Sequence, residues 1–420
     1  MYALGTRSST AGVRRRVAAL AAVALVGGVA CTGEGGDATP PSTTARVTTT
    51  TTPARSSDGT LVLGIYLPTT GAGSDLGQPM IAAVENAIER INNAGGVLGR
   101  DVLHQSADEG AGTGLGELLN DGVDAIVGPA SSLNALAQLG PAVDPTSGVV
   151  VCSPSATALA LDDYPDNTFL FRTAPSDSLQ MAFIARQAQR TGARSVAVGY
   201  LDDLYGRGLF EAFETEIEQR RIPVVASRGF SGDEEDLSDI AAELLEQNPG
   251  VVVVLGDADD GGRLLAALDE AGIQAQQVIV NDAIRNARAT IQTLSSSMRA
   301  RLLGVAPLAR AVASDAPPGF FAAHAVDCVN LIALAALVAG SDDPKTFRTN
   351  MASVSSGGRV CGSFDACATL LERGLDIDYN GASGSAELSN ATGDPVQARF
   401  EQFRFDSDGL ETDTQWFDIP

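Results

Sequence analysis

Short, near-continuous apolar runs alternate along this chain with segments of helical spacing, and that alternation restricts the fold more than any other feature. The first run, Leu61-Val62-Leu63-Gly64-Ile65-Tyr66-Leu67, has the composition of a strand buried on both faces. After a turn of the form Gly71-x-x-Ser74-x-x-Gly77, Met80, Ile81, Val84, Ala87, Ile88 and Ile91 recur at three- and four-residue spacing. They make one apolar helical stripe. Gly95 and Gly96 follow, where a left-handed residue satisfies the last helical carbonyls without steric cost. The pattern repeats with strands at Asp124–Gly128 and Val149–Val151 and a helix from about Ser132 to Val143. A second series has strands at Ser195–Tyr200, Ile222–Ala226, Val251–Leu255 and Val278–Val280. Its helices lie near Leu209–Gln219, Leu237–Glu246 and Arg263–Ala271. Repeated βα units of this length predict an α/β fold with parallel sheets covered by helices on both faces. Two series predict two lobes.

The break between the series is the Pro-containing segment Phe171–Asp177, and a second crossing is expected at Gly304-Val305-Ala306-Pro307. Apolar helices then follow at Ala322–Val338 and near Pro344–Val354, and late strands at Gly384–Leu388 and Ala398–Phe405.

Residues 1–30 read as a targeting segment. Arg14-Arg15-Arg16 precede the apolar run Val17–Ala30, which is too short for a membrane span. Val29-Ala30-Cys31 resembles a bacterial lipoprotein cleavage site, with Cys31 as the lipidated first residue, although Gly28 stands where leucine is usual. The alternative is an ordinary secretory signal; both export the chain. Residues 31–60 read as a tether, because Ala38–Ser57 is rich in Thr, Pro and Ser and has too few apolar residues to fold.

Acidic residues outnumber basic ones by 52 to 28, a net charge of −24 that disfavours nucleic acid and anionic membrane surfaces as partners. With only His104 and His324, imidazole metal sites and His-based catalysis have little material. No nucleophile elbow, paired zinc cysteines or H-E-x-x-H occurs. Gly110–Gly116 does not give G-x-G-x-x-G in any register and reads as a loop. Asp406-Ser407-Asp408-Gly409 lacks the later ligands of a calcium loop and reads as a hairpin turn. No cofactor, metal or enzymatic activity is expected. Cys361 and Cys367 enclose a short loop and form the natural local disulfide, which leaves Cys152 with Cys328; the alternative for the latter two is a pair of free buried thiols.

In open α/β sheets ligands bind beyond the carboxyl ends of strands, near helix N-termini. Gly128–Ser132 and Ser153–Thr157 occupy such positions on neighbouring strands and offer hydroxyls and N–H groups suited to a carboxylate, though each could equally cap a helix.

The ordered series of strand, turn, Ile91–Arg100, strand-end loops and Asp202-Asp203-Leu204-Tyr205-Gly206 resembles the extracytoplasmic leucine/isoleucine/valine-binding proteins of ABC importers, the type I periplasmic binding proteins. Gly357–Cys361 and Asp376–Gly384 look like a segment of the actinobacterial members. The resemblance implies two Rossmann-like lobes joined by a three-crossing hinge, with residues 61–174 plus 305–384 in lobe 1 and 175–304 plus 385–420 in lobe 2, a cleft that closes on a small ligand, and ABC permease subunits as partners. It implies that Ser131 or Ser132, with Ser155, Ala156 and Thr157, hold the ligand carboxylate. Tyr205 would close over the ligand, and Asp282, with Asp257 as a second candidate, would bind its ammonium. Leu76 stands where an aromatic is common, and Val326-Asp327-Cys328 stands where Tyr-Asp-Ala is common. These departures imply a different pocket wall; the expected ligand is an amino acid or a related small polar molecule, with an amide, a short peptide or a small carboxylate as the alternatives to a branched-chain amino acid. A sensory module of the same fold is the competing reading.

Overall fold

The computed structural model describes residues 57–71, 73–307, 319–412 and 415–419. The expected signal segment, Cys31 and the tether up to residue 56 lie outside them. The first sheet contains β1 (Val62–Leu67), β2 (Leu103–Asp108), β3 (Ala125–Val127), β4 (Val150–Ser153) and β5 (Leu170–Arg172). Its five strands are all parallel, in the order β2-β1-β3-β4-β5. β1, β3 and β4 are apolar and almost wholly buried, as strands covered on both faces must be. The stripe on helix Ser74–Asn93 buries Met80, Val84, Ala87, Ile88 and Ile91, with Ile81 half-buried at its margin.

The second sheet begins with β6 (Val196–Leu201), β7 (Val224–Phe230), β8 (Val251–Leu255), β9 (Gln277–Val280) and β10 (Leu302–Pro307). The chain then returns to the first lobe, where helix Ala322–Ala339 packs along helix Ser74–Asn93. That helix is long and apolar enough to cross a membrane, but it is buried along most of its length. An all-round apolar helix is the expected centre of a core. A small sheet follows, formed by β11 (Arg359–Cys361), β12 (Ile377–Gly381) and β13 (Gly384–Ser385). The last strands, β14 (Ala398–Phe403) and β15 (Gln415–Ile419), rejoin the second sheet, whose order is β15-β14-β10-β9-β8-β6-β7. Three crossings therefore join the lobes.

Several details differ from the sequence reading. β10 pairs with β9 over Leu302–Gly304 and with β14 over Gly304–Pro307, so residues 305–307 sit in the second sheet and the second crossing follows Pro307. Ala386 and Leu388 are buried in the first-lobe core, so the last crossing falls after 388 rather than at 385. β14 and β15 are antiparallel additions to the otherwise parallel second sheet. The Gly110–Gly116 loop gives way at Gly114 to a helix, Gly114–Asn120, that buries Leu115, Leu118 and Leu119.

Both cysteine pairs are at bonding distance: the sulfurs of Cys152 and Cys328, and those of Cys361 and Cys367, are each 2.05 Å apart. The former ties the end of β4 to helix Ala322–Ala339. Where the body begins, Asp342 accepts the backbone N–H groups of Asp58, Gly59 and Thr60 at 2.8–3.0 Å and the hydroxyl of Ser57. Against the opposing effect of its burial, those donors hold the Asp342 carboxyl below the usual carboxylate range.

Candidate functional site

β3 and β4 are neighbours, so the loops that leave their carboxyl ends run side by side. The first turns sharply at Gly128, whose φ is +120° and where a Cβ would overlap the carbonyl oxygen of Tyr66. The N–H groups of Gly128, Ala130 and Ser131 in this loop are already occupied, the first by Cys152 O. Glu109, directly after β2, is buried and accepts from Ala130 N at 2.7 Å, Ser131 N at 2.8 Å and Asn134 Nδ2 at 3.0 Å. Burial raises the Glu109 carboxyl above its ordinary pKa, and these donors oppose the rise. Ser131 Oγ caps helix Ser132–Gln138 through Asn134 N. Ser132 Oγ accepts from Ala158 N at 3.2 Å.

The β4 loop is equally self-contained. Ser153 Oγ donates to Pro129 O at 2.6 Å and accepts from Ala156 N at 3.0 Å, and Ser155 Oγ donates to Ala130 O at 3.0 Å. The carbonyls of Ala156 and Ala158 accept from Arg172, whose side chain is fully buried. Arg172 also forms ion pairs with Asp162 at 2.5 Å and Asp394 at 2.6 Å, which joins β5 to the last crossing.

The second lobe brings a different set. Helix Leu204–Gln219 starts five residues earlier than its apolar stripe suggests, which puts Tyr205 in its first turn; Asp203 caps it through Gly206 N at 2.8 Å. Asn281, at the end of β9, donates to Tyr205 Oη and to Gly256 O, each at 3.0 Å. Asp257 caps helix Ala258–Glu270 through Asp260 N at 2.8 Å. Asp282 Oδ1 is enclosed without a hydrogen-bond partner. Burial raises the Asp282 carboxyl, opposed by the Gln180 amide and the Ala283 N–H.

Between these sets stands Asp177, the first residue of the helix that follows the first crossing. It is 2% exposed, and its N–H donates to Thr157 O at 2.8 Å. Burial pushes its carboxyl up to about 8, and the charge of Asp282 adds to the rise against the Thr157 hydroxyl and the Arg172 guanidinium. Burial, then Asp282 and Asp177, also lift the Tyr205 phenol well above its ordinary value.

A cavity of about 700 Å³ opens between the lobes. Ser131, Ser132, Tyr205 and Asp257 line it, joined by Asp177, Asp203 and Glu211 and by the apolar Leu133, Leu136, Leu159 and Leu204. Ser155, Ala156, Thr157 and Asp282 are not among its lining residues. Leu76 and Val326 pack against the first-lobe core instead of the cavity. Asp327 is buried and accepts from Tyr379 Oη at 2.7 Å, Ala382 N at 2.7 Å and Ser383 N at 2.8 Å, which is a structural duty. The sequence reading missed Asp177, Glu109 and Asn281. The signals available for them were an acid opening a helix, an acid leaving a strand and a polar residue at a strand end.

The sequence profile of the periplasmic binding proteins matches residues 60–366. The chain belongs to that family. Its relatives are binding proteins, and the family is extracytoplasmic. The chemotactic signal transduction system substrate-binding protein BasB of Halobacterium salinarum is 27% identical over 376 residues, covering 84% of this chain and 88% of that protein. Leu/Ile/Val-binding protein homolog 3 of Brucella melitensis is 29% identical over 228 residues, 51% of this chain and 59% of that protein. The substrate-binding protein LivJ of the branched-chain amino acid transporter of Streptococcus pneumoniae, solved with isoleucine, superposes with a TM-score of 0.65. It is 20% identical, and the match covers 86% of this chain and all of that one, so its fold is shared.

Proposed function

We propose that this periplasmic binding protein is the solute receptor of an ABC importer, held at the outer face of the cell membrane by lipid on Cys31. It captures an amino acid or a related small polar ligand in the interlobe cleft. The observation that carries the reading is the cavity of about 700 Å³, walled by strand-end loops of both lobes and by Tyr205 and Asp177. That volume falls within the range of roughly 300–1,000 Å³ typical of small-molecule sites. Closure of one lobe on the other excludes water and lets a few polar groups set orientation. Ser131, Ser132 and Tyr205 contact the ligand; Ser155, Ala156 and Thr157 shape the floor behind it, and Asp282 and Asp257 set its charge preference.

Thermal-shift screening of the body from Ser57 against amino acids, amides and small carboxylates tests the receptor role. A saturable shift by one of these classes is expected, and its loss in Tyr205→Ala. No shift from any solute would refute the role. Transfer of Cys31→Ala from the membrane fraction to the medium checks the anchor. The likeness to BasB along most of the chain favours a second reading, in which closure signals to a membrane partner. Loss of ligand uptake on deletion of the gene supports transport; intact uptake with lost behavioural response supports sensing.

A further inference from the structure

The cavity's charge is one-sided. Among the described residues that line it, Asp177, Asp203, Asp257 and Glu211 are acidic, and none is Lys, Arg or His. Arg172 lies behind the Ala156 and Ala158 carbonyls and is engaged by Asp162 and Asp394. Four backbone N–H groups of the first lobe that face this region are committed within the protein, and the hydroxyls of Ser131 and Ser132 already accept hydrogen bonds there. Glu109 takes the Ala130 and Ser131 N–H groups, Ser153 takes that of Ala156, and Ser132 takes that of Ala158. A ligand carboxylate that took the Ala130 and Ser131 N–H groups would have to displace Glu109 and would then leave that buried charge without its donors, a costly exchange.

The opposite wall asks for an apolar body. Leu133 of the first lobe and Leu204 of the second are 69% and 85% exposed, and both line the cavity. Leu136 and Leu159 extend the surface between them. Leucines this exposed in a cleft, rather than scattered singly, mark a surface that a ligand covers. At the inner end Asp177 is enclosed, and the unpartnered Oδ1 belongs to the adjacent Asp282.

We propose that the ligand is an organic cation without a carboxylate, an alkyl- or arylamine or the amide of an apolar amino acid. Its ammonium sits at Asp177 beside Asp282, and its apolar body lies along Leu133, Leu136, Leu159 and Leu204. The inference rests on the receptor reading above and names the ligand class for the same cleft.

Calorimetric titration of the body from Ser57 with matched sets tests it: leucine, leucinamide and isopentylamine, then phenylalanine, phenylalaninamide, phenethylamine and 3-phenylpropionate. The amide and the amine in each set are expected to bind at least tenfold more tightly than the amino acid, and the acid not at all. Amino acids that bind as tightly as their amides would overturn the inference and leave the receptor reading standing. Failure of every compound, with failure of the broader solute screen, would overturn both. Asp177→Asn is expected to weaken amine binding at least tenfold. Should that variant not fold, Leu204→Ser, at an exposed position, is expected to weaken phenethylamine more than methylamine; equal effects count against the apolar seat.

Discussion

The two lobes share a plan of parallel strands and covering helices but hold their strand ends differently. In the first lobe the loops after β3 and β4 bond to each other, to Glu109 and to Arg172, and Cys152 at the end of β4 lies at bonding distance from Cys328 of the central helix. The second lobe contains no cysteine. Its cleft-facing polar groups are mostly helix caps: Asp203 and Asp257 each accept one N–H, and Asn281 steadies Tyr205. The contrast assigns the roles. In the proposed receptor the first lobe is a floor whose strand-end N–H groups are largely engaged, whereas the second presents carboxylates with acceptor capacity to spare. The charge preference proposed above therefore rests chiefly on the hinge and the second lobe.

The largest test of that difference is to remove the first lobe's cross-link. Cys152→Ala with Cys328→Ala is expected to cost about 5 kcal/mol, and Cys361→Ala with Cys367→Ala about 2 kcal/mol, because the closed loops differ so much in length. Urea unfolding of the oxidised proteins measures both, and equal losses would show that chain entropy is not what the long cross-link supplies. Next is Arg172→Met, expected to cost about 3 kcal/mol by leaving Asp162 and Asp394 without their partner. The exposed Arg207–Asp202 pair of the second lobe should tolerate Arg207→Met with no measurable change.

A third test uses pH. The folded protein holds the Asp177 proton up to about pH 8, whereas the unfolded chain releases it near the ordinary carboxylate value of about 4. Between those values the folded state binds the extra proton, so unliganded stability falls as pH rises, by at most about 1.4 kcal/mol per unit. Asp177→Asn should flatten the slope of unfolding free energy between pH 5 and 8, and an unchanged slope would assign it to other groups. The smallest measurable effect belongs to the caps. Asp203→Ala and Asp257→Ala should each cost about 1 kcal/mol in unfolding experiments.

What the sequence made legible follows from burial. β1, β6, β8 and β9 are buried on both faces, so their apolar runs stand out. β2 lies at a sheet edge with most of its residues exposed or half-buried, and its Leu-His-Gln-Ser-Ala-Asp composition carries no apolar signal. β5 is three residues long and was legible only as an extended break. Helix Leu204–Gln219 was placed late because its first turn, with Leu204 exposed, faces the cleft rather than a core. In the cleft, Ser131, Ser132, Tyr205 and Asp257 were legible from their places after strands. Glu109 and Asp177 were not, because their importance comes from what surrounds them. Glu109 meets a loop some twenty residues away in sequence, and Asp177 meets Asp282 from a distant part of the same lobe's sequence.

Asp342 has a mechanical consequence. It grips the backbone at Asp58, Gly59 and Thr60, immediately ahead of β1, and it lies just past the end of helix Ala322–Ala339. Tension applied to the chain ahead of Ser57 is therefore delivered to the first lobe at the amino end of its sheet, opposite the cleft. The load path runs through β1 and the central helix, and none of the three crossings carries it. The hinge that the proposed closure uses is left unloaded while the body is pulled.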